Sequence, residues 1–182
     1  SGSLTVSGSE FTSNKSDGFG GTIFTTSKTA SLTVSDSIFK TNSASRGGAI
    51  AIYNGAKGMI ERSYFDGKTG DRGAVTSYIS DYTVINSTFV NHAAYAVGIY
   101  QGGNVLVPTS TFANNTQADI YTASTDAVVN VYNSILSGKI AASTGTGSTV
   151  NVFNSTYTTY TGTATFNTSR QVTADAELGS VN

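Results

Sequence analysis

The side chains with chemistry to offer are few, because charged residues make up only 12% of this 182-residue chain. Cleavage of a glycosidic bond needs two carboxylates roughly 5–9.5 Å apart across the scissile bond. Asp66 and Asp71, with Glu61 and Asp81 nearby, are the acidic residues grouped closely enough to attempt it. Their neighbours point elsewhere. Arg46 stands four residues before Ile50 of Gly-Gly-Ala-Ile, and Asp71 stands four residues before Val75 of Arg-Gly-Ala-Val. Lys40 and Asp66 each follow a phenylalanine directly. If these segments are equivalent turns of one repeating structure, Arg46 faces Asp71 and Lys40 faces Asp66. Such surface ion pairs are worth about 0–1 kcal/mol each. Lys40, Arg46, Asp66, Asp71 and Arg72 then form a charged patch for a carbohydrate or protein partner, without an acid–base pair.

His92 is the only histidine, and no serine and aspartate are spaced to complete a nucleophilic triad with it. A turn position is expected for it. Cysteine is absent, which excludes disulfides and structural thiolate zinc sites. The carboxylates are scattered, with no Asp-x-Asp-x-Asp loop for calcium, so no metal or other cofactor is expected. Ten basic and eleven acidic residues leave a net charge of −1, and no basic stripe offers itself to nucleic acid. No run approaches the ~20 apolar residues of a membrane-spanning helix, so the chain is not expected to be membrane-embedded.

What must position these residues is a repeat. Phe11, Phe39, Phe65, Phe89, Phe112, Leu136 and Tyr157 are anchors spaced by 28, 26, 24, 23, 24 and 21 residues. Two positions before each stands a serine: Ser9, Ser37, Ser63, Ser87, Ser110, Ser134 and Ser155. Five positions before each stands Val6, Val34, Ile60, Val84, Val107, Val131 or Val152. A further apolar column seven positions before is broken only by Gly58. A second strand, led in by glycine, follows the early anchors at Ile23, Ile50, Val75, Ile99 and Ile120. Alternation of inward and outward residues marks strands. One unit is too short to bury its own apolar side, so the units must stack, each strand pairing with its counterpart about 4.8 Å away. The expected fold is all-β: a single-stranded right-handed parallel β-helix, a solenoid of about seven coils. Residues 1–157 form the coils. Residues 158–182 cap them or join subunits as part of the same domain.

The pairing of Phe11-Thr-Ser-Asn14 with Gly20-Gly21-Thr-Ile23, and of Phe39-Lys-Thr-Asn42 with Gly47-Gly48-Ala-Ile50, resembles the repeats of the chlamydial polymorphic outer-membrane proteins. It is also similar to adhesin-like autotransporter passengers. Phe112-Ala-Asn-Asn115 repeats the first half, whereas Phe65-Asp-Gly-Lys68 and Phe89-Val-Asn-His92 depart from it. The resemblance implies a non-enzymatic module, secreted or on the cell surface, that binds or scaffolds. Its expected partners are a protein or glycan of a host or neighbouring cell. Asn14, Asn42 and Asn115 are expected in turns, bonding along a stacked ladder. Tyr53, Tyr78, Tyr95, Tyr100 and Tyr121 are expected to form an exposed aromatic strip. Two alternatives stand beside this reading. The repeat opens at Leu4, and a first coil expected to be uncovered would suit a structural subunit polymerising through its ends. The fold also hosts polysaccharide lyases and glycoside hydrolases.

Overall fold

The computed structural model describes residues 2–67, 73–123, 125–143 and 147–169. Among these every regular element is a strand, and the strands form three parallel sheets. The first sheet contains Ser3–Ser7, Ser31–Ser35, Lys57–Glu61, Asp81–Ile85, Asn104–Pro108, Val128–Tyr132, Thr149–Phe153 and Thr165–Ser169. The second contains Glu10–Thr12, Ile38–Lys40, Tyr64–Asp66, Thr88–Val90, Thr111–Ala113 and Ile135–Leu136. The third contains Ile23–Thr26, Ile50–Tyr53, Val75–Tyr78, Tyr95–Ile99, Ala118–Thr122, Ile140–Ala142 and Tyr160–Gly162. The chain visits the sheets in rotation, so each strand pairs with its counterpart one coil away. The path is a right-handed solenoid, the hand imposed by the twist of strands built from L-residues. Six coils carry a strand on all three sheets; a seventh reduces the second to one bridge, Ile135–Thr156.

The anchors stand in register along the second sheet, so their rings must stack at the spacing of the strands. Phe11, Phe39, Phe65, Phe89 and Phe112 do so, with centroids 4.6–5.1 Å apart and planes within 15°. Leu136 continues the column next to Phe112. Phe65, Phe89, Phe112 and Leu136 are wholly buried. Each such side chain contributes about 1.5–3 kcal/mol through burial. The Val and Ile column of the first sheet meets this stack in one continuous core.

Gly58, the break in the third apolar column, has a packing reason. A Cβ there would lie 2.5 Å from Ile52 Cδ1 and 3.0 Å from Tyr82 Cβ. Tyr82, its register neighbour, is buried to 2% exposure, and the missing side chain leaves room for both.

The serine column is a hydrogen-bond ladder at the corner between the first and second sheets. Each hydroxyl donates to a carbonyl two residues back in its own coil, at 2.7–3.2 Å. Each of the six later hydroxyls also accepts the amide of the serine one coil earlier, at 3.0–3.3 Å. The residue before each serine turns the chain with positive φ: Gly8, Asp36, Arg62, Asn86, Thr109, Asn133 and Asn154, at 46–54°. That turn takes the serine amide out of the strand ladder, and the neighbouring hydroxyl supplies the acceptor it needs.

Candidate functional site

The corner after the second sheet carries the asparagines. Asn42 accepts from the Asn14 amide and side chain, both at 2.9 Å, and donates to the Phe11 carbonyl at 2.8 Å. Asn115 makes the same bond to the Phe89 carbonyl at 3.3 Å. His92 occupies this column in the fourth coil. Its ring hydrogen-bonds the Phe65 backbone, and its amide donates to Asn115 Oδ1 at 3.0 Å. Burial holds the imidazole neutral, lowering its pKa to about 4. The turn position expected for His92 is therefore more specific: the ring replaces an asparagine amide. Below it, Asp119 is fully buried and accepts from Asn115 Nδ2 at 2.8 Å and the Gly138 amide at 2.7 Å. Desolvation raises its pKa. Asp119 was not singled out from the sequence. It sits where the following coil shortens at Gly138, and its carboxylate closes the column.

The charged residues sort differently from the expectation. Lys40 and Asp66 are register neighbours, yet the Lys40 ammonium pairs with Glu10 one coil earlier, at 3.0 Å. Asp66 instead accepts from Asn91 Nδ2 one coil later, at 3.0 Å. The expected Lys40–Asp66 ion pair is therefore replaced by Lys40–Glu10, a diagonal contact across the earlier coil, where Thr12 is the register partner of Lys40. Lys40 holds the Glu10 carboxyl below its usual range. Arg62 makes a bidentate pair with Asp36 at 2.8 and 2.9 Å and also reaches Glu61. Arg46 lies with its guanidinium 4.8 Å from the centre of the Tyr100 ring. Asp71 and Arg72 fall outside the described residues, and so does the Arg46–Asp71 pairing.

In place of one exposed aromatic strip, the rings pair as Tyr53 with Tyr78 and as Tyr95 with Tyr100 and Tyr121, and they are mostly covered. Tyr53 and Tyr95 are buried, and Tyr78, Tyr100 and Tyr121 are half-buried. Tyr95 folds over Gly98, where a Cβ would lie 2.4 Å from the ring, and stacks on Tyr121 at 4.8 Å. The exposed aromatics are Phe19 and Phe24, at 39% and 44%. Phe19 packs 4.8 Å from Tyr53 and 5.5 Å from Phe24, and Tyr53 lies 5.5 Å from Tyr78. Ile79 follows Tyr78 and is 49% exposed with φ of 53°. A β-branched residue seldom adopts that conformation. Its counterpart one coil earlier is Asn54, φ 57°, a residue suited to it. Neither Phe19, Phe24 nor Ile79 was picked out from the sequence. The signal available was a phenylalanine beside a Gly-Gly lead-in, at an outward register.

A solenoid of parallel strands with stacked aromatic, serine and asparagine columns defines the class. The family model described as "right handed beta helix region" matches residues 21–176, and the chain belongs to that family. Neither the curated proteins nor the solved structures contain a match to it.

Proposed function

We propose that the chain is an extracellular, adhesin-like binding or scaffolding module and not an enzyme. The observation that carries this reading is the exposed ring pair Phe19 and Phe24, packed on Tyr53, with Ile79 exposed separately just after Tyr78. Ile79 keeps an exposed apolar side chain in a backbone conformation that costs of order 1–3 kcal/mol. Folding alone favours Asn or Gly there, so the side chain is retained for contact. Exposed aromatic and aliphatic anchors of this kind dominate binding at protein surfaces.

The polar residues that resemble catalytic groups support the same reading. The repeated serines, Asn42, Asn115, His92 and Asp119 are all engaged in holding coils together. Lys40 and Glu10 engage each other, as do Arg62 and Asp36. The test is retention of beads coated with the chain on cell surfaces, compared with a Phe19→Ser/Phe24→Ser variant. Loss of retention in the variant supports the reading; equal retention removes the patch from it.

A further inference from the structure

On the outside of the first sheet, Lys57, Asp81 and Asn104 follow one another on three successive coils. Met59, Thr83 and Leu106 form the next outward column, also coil by coil. Between the columns lies an open groove of about 250 Å³, lined by Lys57, Asp81, Thr83, Asn104 and Leu106 over Gly58 and Tyr82. We propose that this groove binds one or two residues of a neutral glycan, an inference that rests on reading the chain as a binding module.

The groups present select the ligand. Asp81 Oδ1 accepts the Asn104 amide at 2.8 Å and its Nδ2 at 3.2 Å, which fixes both side chains and leaves Asp81 Oδ2 and Asn104 Oδ1 as acceptors. Lys57 is exposed and makes no salt bridge among the described residues, although Asp81 is its register neighbour. Thr83 adds a hydroxyl, which both donates and accepts. One cation and one carboxylate cancel, so a charged ligand meets repulsion from one as it meets attraction from the other. Neighbouring sugar hydroxyls donate to the carboxylate and amide oxygens and accept from the ammonium. Leu106, 38% exposed, offers an apolar surface for the C–H face of a sugar ring. The groove runs along the solenoid axis, so a chain of sugars steps from coil to coil.

The site lies on a different sheet from Phe24 and Tyr53, so it can be tested separately. The experiment is an NMR titration of the isotope-labelled chain with neutral methyl glycosides and short neutral oligosaccharides. Methyl glucuronide and free lysine serve as charged comparators. Saturable shifts at Lys57, Asp81, Thr83 and Asn104 with a neutral sugar are expected, and Asp81→Ala and Lys57→Met should each weaken binding about tenfold. Lys57→Met leaves the Asp81–Asn104 bonds intact and guards against a folding artefact. Ile135→Ser, at an exposed position on the second sheet, should leave the titration unchanged. Absence of groove shifts with every neutral sugar, or stronger binding of either comparator, overturns the proposal while leaving the Phe19–Phe24 patch untouched. Binding accompanied by release of new reducing ends upholds the groove and defeats the non-catalytic reading.

Discussion

The Ser63 amide donates to the Ser87 hydroxyl at 3.2 Å, and that hydroxyl in turn donates to the Ile85 carbonyl at 2.9 Å. One side chain thus satisfies a buried donor in the coil before and a carbonyl in its own. Ser87→Ala removes both bonds and leaves the Ser63 amide unpaired, at a cost of about 1–3 kcal/mol. Ser9 donates to Ser7, and no amide among the described residues donates to it, so Ser9→Ala in this chain should cost well under half as much. Denaturant melts of the two variants check the difference.

Gly58→Ala should destabilise by about 1–3 kcal/mol, the usual penalty of overpacking. The new methyl would sit 2.5 Å from Ile52 Cδ1. Ile52→Val removes that atom, so the double variant should recover part of the loss. A double-mutant cycle by thermal melting measures the coupling, and additive effects would contradict the packing account.

His92 makes the fold acid-sensitive. Its unfolded pKa lies near 6.5 and its folded pKa is lowered to about 4, so the folded state binds fewer protons in between. The associated stability is complete above about pH 6.5 and is lost as pH falls towards 4. Asp119, with its pKa raised by burial, acts oppositely: its contribution is greatest at low pH and falls as pH rises. His92→Asn restores the side chain used at Asn42 and Asn115. Subtracting its stability–pH curve from that of the parent should isolate the histidine component between pH 4 and 6.5; identical curves would refute it.

Ile79→Asn should raise stability by about 1 kcal/mol, by relieving the left-handed conformation of a β-branched residue. The same change should weaken surface binding. A gain in melting temperature together with a loss of adhesion would show that the isoleucine is kept for contact.

The columns were legible because a solenoid repeats its needs: Phe39, Phe65 and Phe89 recur where a ring must lie on a ring, and Ser37, Ser63 and Ser87 where an amide lacks a strand partner. Local exposure was less legible. Tyr53 alternates correctly for an outward position, but Phe19 packs against it; Tyr95 shares the parity of the inward Val97 and Ile99, yet its ring lies over Gly98, and periodicity contains neither outcome. Lys40 had two possible partners, Glu10 and Asp66, one coil to either side. Spacing favours Asp66, the direct register partner, over Glu10, which lies diagonally in register with Ile38, and only the geometry of the side chains chooses Glu10. The structural role of His92 was hidden because an imidazole and an amide share no pattern in sequence, although both donate to the same carbonyl of the coil before.

The most direct measurement is retention of coated beads on a panel of eukaryotic and bacterial cells. The parent chain would be compared with a variant carrying Phe19→Ser, Phe24→Ser and Ile79→Asn, with soluble sugar release assayed in parallel. The account predicts saturable retention by the parent, loss of it in the folded triple variant, and no sugar release. Equal retention by both chains, or cleavage of surface polysaccharide by the parent, would contradict it.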